Sequence, residues 1–183
     1  KINKIFLILI LALILRSIFI ANTPSLNPDE AALGYNAYSI LKTGKDEHGE
    51  SFPLHLKSFG DYKPALYTYL SIPFVATLGL NPLSVRLPNI ILSVFAIYYT
   101  YLLIHLLTKN KKIALLTALI LTISPWHIHF SRGAWESSAA LSFIVIGTYY
   151  FFTTIFIAIR QPAEKQSRWN QAYFLFVFFY ALS

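Results

Sequence analysis

Four long apolar runs, at about 5–22, 88–108, 113–130 and 138–159, with a fifth beginning near 171, constrain this chain more than any other feature. A run of roughly 20 apolar residues is what a helix needs to cross a hydrocarbon core of about 30 Å. Inside a bilayer the backbone polar groups must pair within the segment, so such runs fold as helices. The expected fold class is all-α: a polytopic transmembrane helical bundle. Composition agrees, since 56% of the residues are hydrophobic and 13% charged, where soluble domains carry roughly 25% charged residues. With no cysteine in the chain, disulfides and thiolate metal sites are excluded. The stretch 5–22 is longer than a usual signal-peptide core and is interrupted by Arg16, so it reads as a retained anchor. The chain starts on Lys1, lacks methionine and stops inside an apolar run; it is expected to be the N-terminal part of a longer transmembrane domain.

The net charge of +7 reads as membrane topology and not as a nucleic-acid surface, because the basic residues sit in short clusters between the apolar runs. A sixth apolar stretch, 64–80, holds Pro64 and Pro73 and is expected to lie on the outer side without crossing. The segments then facing the cytoplasm hold Lys1, Lys4, Lys109, Lys111, Lys112, Arg160, Lys165 and Arg168 against the single acid Glu164, whereas the outer segments 23–87 and 131–137 are nearly balanced. That is the positive-inside asymmetry. It gives a cytoplasmic N-terminus, a long extracytoplasmic first loop containing surface helices, and a short second loop on the same side. Within the first loop, Asn27-Pro28-Asp29-Glu30 reads as a helix start. Leu33, Ala37, Ile40 and Leu41 form an apolar stripe at helical spacing, and Thr43-Gly44 ends it.

Three constellations carry candidate chemistry. Asp29 and Glu30, just past a span, are adjacent carboxylates suited to bind a cation or take a proton from an attacking hydroxyl; the plainer reading is a capped helix start. Gly60-Asp61-Tyr62-Lys63-Pro64 places a lysine where a lipid phosphate would sit, and an interfacial lysine among tyrosines accounts for it equally well. The segment from Trp126 to Glu136 brings His127, His129, Arg132 and Glu136 to one end of a span. Histidines two apart do not share a helix face, which argues against a zinc pair, whereas Arg132 and Glu136 would pair if the segment is helical. Arg16 is expected to snorkel to the surface, with a buried counter-charge for phosphate as the sharper alternative.

The order of these features resembles the GT-C superfamily of membrane glycosyltransferases: one span, an outer loop opening on Asp-Glu, Lys63-Pro64 before an apolar helix, Val85-Arg86-Leu87-Pro88 at a span, and Ser124-Pro125 before a polar loop. The nearest likeness is to the bacterial branch related to protein O-mannosyltransferases and the lipid A aminoarabinose transferase. The resemblance implies a sugar donor carried on a polyprenyl phosphate, transfer at the outer face of the cell membrane, and a lipid, glycan or protein acceptor, among membrane lipids and without nucleic acid. It assigns Asp29, with Glu30 beside it, to catalysis as the general base, and Lys63, with Arg132, to the donor phosphate. Glu136 and Asp61 are a further candidate polar site, although an aspartate is more usual than Glu136. Tyr62 stands where the aminoarabinose transferase has a metal-binding glutamate. No cofactor is required by the pattern, and a divalent cation is left open. The reading set against the enzyme is a transporter or flippase for a lipid-linked glycan, or an inactive scaffold relative.

Overall fold

The computed structural model describes residues 3–21, 25–58, 60–160 and 166–183. In chain order these form α1 (Lys4–Ser17), α2 (Pro28–Thr43), β1 (His55–Ser58), β2 (Asp61–Pro64), α3 (Leu66–Leu78), α4 (Pro82–Thr108), α5 (Lys111–Ile123), α6 (Pro125–Ser131), α7 (Glu136–Arg160) and α8 (Gln166–Ala181). Of the charges used for topology, Lys1, Glu164 and Lys165 lie outside the described residues, as do the side chains of Arg160 and Arg168.

A helical membrane protein is what the sequence predicts, with one correction to the all-α reading. Between α2 and α3 the chain forms an antiparallel hairpin, pairing Leu56 with Lys63 and Ser58 with Asp61. His55–Ser58 alternates exposed and buried side chains, the period of a half-buried strand. Gly60 at φ +89° supplies the backbone reversal that a side chain would resist.

Among the described residues two helices are long and apolar enough to cross a membrane, Pro82–Thr108 and Glu136–Ile159, and the α5–α6 pair makes a third if its two arms are taken as one span. α3, at 13 residues, is only about 20 Å long and cannot cross a core of about 30 Å alone. α4 begins before the expected start at 88, because Asn81 caps it and Pro82 occupies the first helical position. The expected span 113–130 is instead bent by 61° between α5 and α6. Pro125 cannot donate to the turn before it and forces Ser124 out of helical geometry, with ψ at 119°.

That break explains Arg16, which does not snorkel but is fully buried. Its guanidinium enters the break from α1, donating to the carbonyl of Thr122 at 3.2 Å and of Ala12 at 3.1 Å, and meeting His127 Nδ1 at 2.6 Å. The Thr122 carbonyl, freed where the helix bends, thus gains a charged donor, as a buried backbone acceptor requires. α1 itself stops at Ser17, short of the expected 22. Arg132 takes the freed carbonyls of Leu15 and Ile18 at 3.1 and 2.7 Å.

Two apolar clusters organise the molecule. Ile5, Ala12, Ile97, Tyr101, Ala114 and Ala118 join α1, α4 and α5. Leu33, Leu56, Tyr67, Val85, Ala134 and Phe143 are among those joining α2, the hairpin, α3, α4 and α7. In this second cluster α2 meets α4 closely enough that a Cβ on Gly34 would lie 2.7 Å from Val85 Cγ2.

Candidate active site

The site grows from the first turn of α2. Asn27 caps the helix, its Oδ1 accepting from the Glu30 N–H at 2.8 Å, while Glu30 Oε2 accepts from the Asn27 N–H at 3.2 Å. This is a capping box, and it holds residues 28–30 in a single rigid turn. The cap oxygen therefore comes from Asn27 and Glu30 closes the box, which leaves Asp29 for other work.

Asp29 faces outward and forms an ion pair with Lys63 of β2, the aspartate 44% exposed and the lysine 19%. Both line a cleft of about 480 Å³ together with Asp61, Tyr67, Glu136 and Phe143. Pro64, Leu66, Ala139 and Ala140 supply part of its apolar wall. Asp61 Oδ1 accepts from the Tyr62 N–H at 2.7 Å. Glu136 opens α7, and its Oε1 is buried without a hydrogen-bond partner. Four of the predicted residues, Asp29, Asp61, Lys63 and Glu136, therefore meet in one place.

Glu30 is not in that group. Its carboxylate is 2% exposed and is held bidentately by Arg86, Nε to Oε1 and Nη2 to Oε2, each at 2.8 Å. Oε1 also accepts from the Ala134 N–H at 2.8 Å. Burial opposes ionisation of this carboxyl, but the hydrogen bonds from Arg86, Ala134 and Asn27 and the guanidinium charge outweigh it and hold the pKa below the ordinary carboxylate value. Arg86 extends the same network to the carbonyls of Ile20 at 2.9 Å and Ser25 at 3.3 Å. Arg86 is the residue to which sequence reasoning gave no role of its own, naming it only within Val85-Arg86-Leu87-Pro88 at a span and among the outer charges. The available signal was an arginine between apolar neighbours near a span, which must find a partner.

Arg132 does not line the cleft; its guanidinium caps α1 as described above. Nor does the helix run through it to Glu136, since α6 ends at Ser131 and α7 begins at Glu136, so the i,i+4 arrangement is not formed. The connecting loop is fixed by Asn89, whose Nδ2 donates to the carbonyls of Gly133 at 2.7 Å and Phe130 at 3.1 Å. His127 is engaged with Arg16. Among the described residues no group of three or more His, Asp or Glu side chains gathers in a way that could hold a metal ion.

A carboxylate and an ammonium at the mouth of one apolar-walled cleft can take a proton from a hydroxyl and neutralise a leaving anion. Searches for similar proteins found no match among curated sequences or solved structures. A family model described as dolichyl-phosphate-mannose-protein mannosyltransferase matches residues 6–182. The chain belongs to that family of membrane glycosyltransferases, which draw the sugar from a polyprenyl-phosphate donor.

Proposed function

We propose that the cleft between α2, β2 and α7 transfers a sugar, mannose by the family's description, from a polyprenyl phosphate to an acceptor hydroxyl at the outer face of the membrane. Asp29 is the general base, Lys63 binds the donor phosphate, and Glu136 and Asp61 present acceptors to sugar hydroxyls. Glu30 acts through Arg86 as a positioning residue, tying the turn that carries Asp29 to the loop that precedes Glu136. Arg132, assigned to the donor phosphate by the resemblance, lies off the cleft and fixes the end of α1. A protein is the favoured acceptor, with a lipid or glycan acceptor as in the lipid A aminoarabinose transferase as the variant reading.

In the reaction the acceptor oxygen bonds to the anomeric carbon as that carbon's bond to the phosphate oxygen breaks. The hydroxyl proton passes to Asp29, and the electron pair leaves with the phosphate, where the Lys63 ammonium offsets the growing charge. A single displacement inverts the anomeric centre.

The observation that carries this reading is the meeting of Asp29, Lys63, Asp61 and Glu136 on one cleft, from positions 34 to 107 residues apart for Lys63 and Glu136 relative to Asp29. The test is turnover of a polyprenyl-phosphate sugar by the full-length protein carrying Asp29→Asn. Loss of a proton acceptor of this kind lowers the rate by about 10²–10⁴-fold. Native turnover in a correctly folded Asp29→Asn protein would refute the base assignment.

A further inference from the structure

Lys63 is asked to bind the donor phosphate, yet in this structure it is already bound to the base. The ammonium holds Asp29 Oδ1, so an acceptor hydroxyl approaching this carboxylate meets one of its two oxygens already engaged and a cation beside it. The rest of the cleft offers no alternative cation: among the described lining residues Lys63 stands alone against the carboxylates of Asp29, Asp61 and Glu136. A phosphate entering such a cleft meets like charges, and Lys63 is the group on its wall that offsets them. The two anions therefore compete for one ammonium. Of the two partners Asp29 is the more exposed, so water can take over its hydrogen bonds when the lysine departs.

We propose that Lys63 exchanges partners and thereby orders the reaction: the donor phosphate draws Lys63 away from Asp29, and only the carboxylate released in this way accepts the proton of the acceptor. The device rests on Asp29 being the base. It keeps the base engaged until a donor is present, and it places donor binding before acceptor activation. The exchange itself makes and breaks no covalent bond. Lys63 keeps its three N–H donors throughout and hands them from a carboxylate to a phosphate, the stronger site for a point charge once the sugar–phosphate bond begins to break.

The test separates the exchange from the base assignment. Binding of farnesyl phosphate, which carries the isoprenoid phosphate without a sugar, is measured on the full-length protein in detergent. Asp29→Asn frees Lys63, so it binds farnesyl phosphate about two- to tenfold more tightly than the native protein, although the same variant loses turnover. Asp61→Asn removes a negative charge from the same cleft without freeing Lys63, and its gain is smaller. Combining Asp29→Asn with Lys63→Ala abolishes the gain. Asp29→Ser, checked with Asp29→Asn by thermal unfolding, gives the same ordering if the asparagine amide itself perturbs the pocket. Unchanged or weaker binding in both Asp29 variants overturns the exchange, as does a gain no larger than that of Asp61→Asn. If turnover is lost without a gain in affinity, Asp29 stands as the base and the exchange alone fails. If turnover survives, the base reading fails first.

Discussion

Asp29 and Glu30 are neighbours in the chain, carry the same charge and leave the same turn of α2, yet they meet opposite fates. Asp29 points into an open cleft and has a lysine for a partner. Glu30 points into the protein, where a planar guanidinium and a backbone N–H saturate it. The difference lies in what each pair would leave behind if broken. A part-buried lysine pair at the wall of an open cleft can separate because water reaches each partner, and pairs near the surface contribute about 0–1 kcal/mol. A buried arginine pair cannot, because the survivor would remain charged and dry. Adjacent carboxylates thus divide into one whose partner can leave and one that holds their shared turn in place.

Three perturbations test that division. The largest effect belongs to Arg86→Ala, which strands Glu30 and should cost about 3–5 kcal/mol of stability, read as a fall in Tm of the detergent-solubilised protein. An equal loss from Lys63→Ala would erase the contrast. Next is acid. Because the folded pKa of Glu30 lies below its ordinary value of 4.5, the pair's contribution is fully present above that value and is lost as pH falls through the lower folded pKa. The native protein should therefore lose stability more steeply on acidification than Glu30→Gln, and parallel acid limbs in Tm against pH would contradict the assignment. The smallest effect is Lys63→Ala itself, expected to change stability by no more than about 1 kcal/mol while weakening the binding of farnesyl phosphate. A variant that unfolds instead would make Lys63 a structural residue.

Local chemistry was legible in the sequence, and distant pairing was not. The limits of α2 follow from Asn27-Pro28 at one end and Thr43-Gly44 at the other, and the structure places them there, with Gly44 in the left-handed region at φ 72°. The apolar stripe holds at Leu33, Ala37 and Ile40, which are buried, but not at Leu41, which is 37% exposed. Lys63 and Asp29 read as parts of one site because the resemblance assigns both to it and charge counting keeps both in the first outer loop. The hairpin was missed because four-residue strands carry little periodicity. The bend at Ser124-Pro125 was visible as a proline but not as a break, since prolines inside α3 and α4 leave those helices continuous. The break at Pro125 is filled by Arg16, over a hundred residues earlier, and no window along the chain contains both. The same distance hid Arg86, 56 residues from the carboxylate it pairs with.

That distance also has a meaning in time. A ribosome adds about 5–20 residues per second, so Glu30 emerges some 3–11 s before Arg86, and the Ala134 N–H, 104 residues after Glu30, emerges later still. The buried node cannot close on a nascent chain that ends before the second loop. Until then its charges must stay hydrated at the membrane surface or be shielded by other proteins. A truncation between residues 86 and 134 would release a chain that carries both charges but lacks the Ala134 N–H that completes the node. The node thus makes completion of the turn that carries Asp29 contingent on the arrival of the loop that precedes Glu136.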